Sequence, residues 1–84
     1  MKEIQPVVFP LNMGTAIYLN LVGQSDNLVD TAIFYYALLN ANENRITEST
    51  LKMDGADYAD YSSNAQSNDF AYSWAANKLN VTLL

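Results

Sequence analysis

Asp54, Asp57 and Asp60 stand three residues apart in "MDGADYADY", residues 53–61, in a chain with only nine acidic side chains. Carboxylates at such a spacing suggest three kinds of chemistry: a cation site, a paired acid and base, or the start of a helix. The cation reading fails on arithmetic. A calcium loop of the helix–loop–helix type needs oxygens at positions 1, 3 and 5, glycine at 6 and glutamate at 12. Here Gly55 comes second and Ala65 twelfth. A glycosidase-like pair needs carboxyl groups about 5–9 Å apart in a cleft, and the sequence supplies no cleft. The spacing fits a helix start best. Asp54 takes the N-cap and Asp57 the N3 position of a capping-box-like pair, with Asp60 one turn further. On this reading the loss of Asp54 costs about 1 kcal/mol.

The rest of the composition narrows the chemistry further. The chain has no histidine and no cysteine, which removes the commonest general base and the usual zinc ligands, along with Ser-His-Asp and Cys-His arrangements. The expectation is a non-enzymatic protein with no catalytic, cofactor-binding or metal-binding residues and no cofactor. Net charge is −5, and the cations are Lys2, Arg45, Lys52 and Lys78. Four scattered cations do not make the basic face that phosphate backbones require, so no nucleic-acid partner is expected. No apolar run approaches the ~20 residues of a membrane span. The opening "MKEIQPVVFPLN" lacks the apolar core of a signal peptide.

These residues need elements to carry them. Eighty-four residues suffice for one domain, and a chain of this size buries only about 60–65% of its unfolded surface. "IQPVVF", residues 4–9, reads as an edge strand because Pro6 and Pro10 cannot donate to a ladder. "LNMG" reads as a turn. In "TAIYLNLVG" Ile17, Leu19 and Leu21 alternate with polar neighbours, the period of a strand with one buried face. "GQSDN" reads as a loop. "LVDTAIFYYALLNA" fits a helical stripe through Val29, Ala32, Ile33, Tyr36 and Leu39. Its β-branched and aromatic run from Ile33 to Tyr36 favours a central strand instead. "NANEN" then predicts a hairpin into "RITESTLKM", with a bulge near Ser49–Thr50 to reconcile Ile46 with Leu51 and Met53. Glu48 and Lys52 suit an edge.

Beyond Met53 the pattern becomes helical. Ser67 or Asn68 serves as an N-cap, and Asp69 complements the helix dipole. Ala71, Trp74, Ala75 and Leu79, or Tyr72, Ala75, Ala76 and Leu79, line one face. Asn80 ends the helix in the left-handed region, and "VTLL" closes the chain as a short strand with Val81 and Leu83 on one side. Gly14, Gly23 and Gly55 read as turn glycines and form no phosphate cradle. The sequon at Asn80 is expected to be a chance match, since no signal peptide is read in the opening residues. Six tyrosines, three phenylalanines and Trp74 are core and interface anchors on one reading and a sugar-stacking platform on another.

The succession "FPLNMGTAIYL", "AIFYYALLN", "LKMDGADYADY" and "AYSWAANKLNVTLL" resembles small virion structural proteins of tailed bacteriophages, block by block across nearly the whole chain. After "ADYAD", where that pattern often carries tryptophan, this chain has Tyr61. The resemblance implies a structural component of capsid, neck or tail, located in the virion and in contact with other virion proteins and copies of itself. The expected fold is a single α+β domain over residues 1–84. A small antiparallel β-sheet of four to five strands, mainly residues 4–53, carries a C-terminal helical segment, residues 54–79, packed on one face. A terminal strand follows at residues 80–84, and an edge strand at each side of the sheet is expected to be open for pairing. The alternative function is a carbohydrate- or receptor-binding module on a phage tail, with tyrosines and Trp74 exposed.

Overall fold

The computed structural model describes residues 1–10 and 14–84. The turn expected at "LNMG" falls mainly on residues 11–13, outside the described residues. Four strands follow one another in space as in sequence: β1 (Lys2–Phe9), β2 (Gly14–Asp26), β3 (Thr31–Leu39) and β4 (Arg45–Asp54), each antiparallel to its neighbour. Helices α1 (Gly55–Ser63) and α2 (Ser67–Leu79) then cover one face. This is the expected α+β arrangement, with the helical segment split in two. The split follows from "SSNAQ". Ser62 and Ser63 hydroxyls donate back to the Ala59 carbonyl, and Asn64 Oδ1 accepts the Gln66 amide at 2.8 Å. Such local bonds offer the backbone an alternative to continuing the helix.

Alternation along the strands sets the two faces. Leu19, Leu21, Phe34, Tyr36, Leu38, Leu51 and Met53 share the helix side by register. Against them pack Tyr58 of α1 and Ala71, Tyr72, Trp74, Ala75 and Ala76 of α2, all buried. Both helical stripes expected for α2 are therefore used. Ile17, expected on the Leu19 face, is only half-buried, and Ala16 enters the core instead. Two β1 residues are extra between the Glu3↔Tyr18 and Val7↔Ala16 pairs, around Pro6. That irregularity breaks the simple alternation beside it.

Two features differ in place from the sequence expectation. "GQSDN" is not a loop, since β2 runs on through Asp26 with Gln24 as the extra residue between the Gly23↔Phe34 and Ser25↔Ile33 pairs. Gly23 therefore lies inside a strand. The bulge expected near Ser49–Thr50 lies at Ile46, between the Leu38↔Thr47 and Leu39↔Arg45 pairs, and the register is unbroken from Thr47 to Asp54. It does reconcile the parity of Ile46 with that of Leu51 and Met53, but beside the hairpin turn, where one extra residue disturbs the ladder least. The "NANEN" hairpin forms as expected: Asn40 N and Asn44 O close it at 3.0 Å, and Asn40 Oδ1 accepts the amides of Asn42 and Asn44.

The terminal strand expected at residues 80–84 is reduced to a single β-bridge at Leu83. Asn80 sits at φ 57°, ψ 41°, and its N–H bonds back to Ala76 and Asn77. Leu83 then bridges Ile4, with Gln5 N to Thr82 O at 2.8 Å and Leu84 N to Glu3 O at 3.1 Å. The outer edge of β1 is therefore occupied at Glu3–Gln5 by the chain's own C-terminal residues. Of the two edges expected to be open, β4 alone runs unpaired along its length among the described residues.

Candidate functional site

The structure sends the three aspartates to three different surroundings. Asp54 does occupy the N-cap position of α1, with φ −146° and ψ 178°, but its side chain makes no capping hydrogen bond. It lies 3.8 Å from Lys52 Nζ, an exposed pair. Asp57 Oδ2 instead accepts the indole N–H of Trp74 at 3.3 Å. Asp60 is exposed. Among the described residues no group of three or more carboxylates comes together as cation ligands would. The helix start is where the spacing put it, and the reciprocal capping bonds are not made. Asp54→Ala and Asp60→Ala are therefore expected to leave stability within about 0.5 kcal/mol. Asp57→Ala is expected to cost about 1–2 kcal/mol, because it strips the buried indole of its acceptor. Thermal melts of the three variants with and without calcium check this, and the calcium arm should make no difference.

Three aromatics of the helices are fully committed to the core. Tyr58, Tyr72 and Trp74 are buried, and Phe34 meets Tyr61 edge-on at 5.6 Å and Trp74 at 5.7 Å. Tyr72 places its hydroxyl 3.1 Å from the Leu21 amide, accepting that hydrogen bond where α2 crosses β2. Tyr58 donates its hydroxyl to Asp26 Oδ1 at 2.6 Å, tying α1 to the end of β2. That bond to Asp26, reinforced by desolvation and by the Asp26 charge, pushes the Tyr58 phenol up to about 12. The bond stabilises the fold fully below the ordinary tyrosine value near 10. Its contribution is lost as pH rises through about 12. In an ultraviolet titration of the folded protein the ionisation at about 12 is expected to vanish in Tyr58→Phe.

Among the described residues, both helices lie on one face of the sheet and no helix covers the other. Register puts Tyr18, Asn20, Val22, Ile33, Tyr35 and Thr50 there. Ala37 and Leu39, also on this face, are buried yet stand outside the main core cluster. At the β4 side, Arg45 Nη1 reaches Glu48 Oε2 at 2.9 Å and Tyr35 Oη at 3.3 Å, while the Tyr35 hydroxyl donates to Glu48. The phenol first, and Arg45 after it, hold the Glu48 carboxyl below its ordinary range. Arg45 and Glu48 are exposed, and the trio pins the half-buried Tyr35 ring by its tip.

Sequence reasoning placed the β2–β3 turn too early, at residues 23–27, and missed the side chains that build it at residues 27–30. Asn27 Oδ1 accepts the amides of Val29, Asp30 and Thr31 at 2.9–3.0 Å, and Asp26 Oδ1 accepts that of Leu28 at 2.7 Å. Asn27 Nδ2 also donates to Asp30 Oδ1. Within this scaffold Leu28 is forced to φ 62°, a left-handed conformation that costs a non-glycine residue roughly 1–2 kcal/mol. Leu28 and Val29 are 83% and 77% exposed, so the strain holds two aliphatic side chains in water. The available signal was "SDNLVD": short acceptor side chains around two apolar residues mark an Asx-stabilised turn.

No helix among the described residues is long and apolar enough to cross a membrane. Comparison with protein-family models, with curated proteins and with solved structures returned no match for this chain.

Proposed function

We propose that this chain is a non-enzymatic structural subunit that acts through protein–protein contacts in a multi-copy assembly. The observation that carries the reading is the one-sided cover of the sheet. Helices protect one face, and the other leaves Tyr18, Ile33 and Tyr35 half-buried and Val22 half-exposed. Tyrosines and aliphatics on a firm backbone give contact area at low entropic cost, and a face of this kind marks an interaction surface. The likeness of its sequence blocks to small virion proteins of tailed bacteriophages supports taking that assembly to be a capsid, neck or tail.

The rival, a carbohydrate-binding module, needs several aromatic rings presented together to solvent. Trp74, Tyr58 and Tyr72 are committed to the core, which leaves that reading Tyr18 and Tyr35 on the open face and the half-buried Tyr36 and Tyr61 on the helix side. Amide NMR spectra recorded from micromolar to millimolar concentration separate the two. Assembly expects line broadening that grows with concentration on the open face of β2, β3 and β4. Concentration-independent spectra with saturable shifts at Tyr18 and Tyr35 on adding oligosaccharide would support the rival.

A further inference from the structure

The two edges of the sheet are finished differently. At β1, Pro6 removes a donor, the register with β2 breaks between Glu3 and Val7, and the C-terminal residues pair with Glu3–Gln5. β4 has none of these devices. From Thr47 to Asp54 its register with β3 is unbroken, and the stretch holds neither proline nor glycine. Its outer side pairs with no strand among the described residues, and Glu48, Ser49, Thr50, Lys52 and Asp54 along it are exposed. Such an edge presents a row of free N–H and C=O groups, a template for another strand. Charge decides which strand fits. Glu48, Thr50 and Lys52 share the open face, beside Ala37, Tyr35 and Ile33 of β3. An acid on one side of Thr50 and a base on the other make the strand its own complement when it is reversed.

We propose that two copies of this chain pair through β4, antiparallel and two-fold, with Thr50 facing the partner's Thr50. This rests on the assembly reading and names its contact. In that register Glu48 stands directly across from the partner's Lys52, and Lys52 from the partner's Glu48. Opposite charges so placed stabilise a strand pair, as does a threonine pair between them, whereas like charges destabilise it. Both groups can respond. Arg45 and Tyr35 bond Glu48 through Oε2, which leaves Oε1 for the lysine, and Lys52 has a loose, exposed pairing with Asp54 at 3.8 Å. Neighbouring registers are poorer. Centred on Leu51, Glu48 would meet the partner's Asp54. Centred on Glu48 or on Lys52, two like charges would meet at the axis itself. Centred on Ser49, Glu48 would face threonine and no charged pair would form. The charges that keep an unrelated strand away thus select a second copy in one register. The contact is isologous and closes at two copies, because the β1 edge at the far side of each sheet is already occupied at Glu3–Gln5. Pairing of this kind joins the two sheets into one, with the helices of both copies on the same side.

Sedimentation equilibrium of the full chain tests this with charge reversals. Glu48→Lys and Lys52→Glu each turn both opposite pairs of the dimer into like ones. Both positions are exposed, so melting curves should show both variants folded. The parent should dimerise as concentration rises, and each variant alone should associate at least about tenfold more weakly. Mixing the two variants should restore association, because each then supplies the charge that the other lacks. Thr50→Cys reads the register with no change of charge. The chain has no cysteine of its own, so oxidation should link two copies through position 50. The link should form faster than in Ser49→Cys, whose altered side chain would face the partner's Leu51. A parent dimer of unchanged affinity in both reversals would overturn β4 pairing and leave the assembly reading standing, as would a mixture that does not recover. A parent chain that stays monomeric at millimolar concentration would overturn both.

Discussion

Replacing Trp74 with alanine is expected to cost about 3–5 kcal/mol, a large share of the roughly 5–15 kcal/mol that holds a domain folded. Trp74 is 8% exposed, on the one α2 face that meets the sheet. Its ring lies against Phe34 at 5.7 Å, and its N–H is accepted by Asp57 of α1. One side chain thus joins both helices to β3. Loss of its area leaves a cavity that the surrounding strand cannot close, and Asp57 loses its partner. Denaturant unfolding measures the cost. In the parent chain the emission of this single tryptophan should be blue-shifted and poorly quenched by acrylamide. A red, freely quenched emission from the folded protein would mean that α2 presents another face to the sheet.

Phe34→Ala should be nearly as damaging, about 3–5 kcal/mol. Phe34 is 5% exposed and stands between Tyr61 edge-on at 5.6 Å and Trp74. Because the two rings touch, the losses at Phe34 and Trp74 should not add. A double-mutant cycle, built on Leu replacements mild enough to leave the chain folded, should return a coupling of about 0.5–1.5 kcal/mol. A coupling of zero would show that the aromatic contact is incidental to the packing.

Much of this was legible because periodicity survives in a small sheet. The β-branched and aromatic run of β3 outweighed its helical stripe, and β3, like β2, is paired on both sides. Asn80 stopped α2 where an αL residue should, and Asp54 marked the strand-to-helix junction even though its side chain caps nothing. What was illegible depended on long-range pairing. Nothing local says that "GQSD" continues β2. It does so because Ser25 and Asp26 find partners in Ile33 and Ala32. The same applies to Asp57, whose acceptor role is set by Trp74 seventeen residues later. The Leu28–Val29 turn was hidden for a different reason. Leu28 and Val29 look like the apolar start of a strand, and only the side-chain acceptors of Asp26 and Asn27 turn them out into solvent.

The claim that the chain works by contact with other protein chains is tested most directly by its mass in solution. Light scattering on the intact protein, free of any glycan and followed from micromolar to millimolar concentration, should show the weight-average mass rising above that of a single chain. A mass that stays at one chain throughout, in a protein that binds an oligosaccharide saturably, would contradict it.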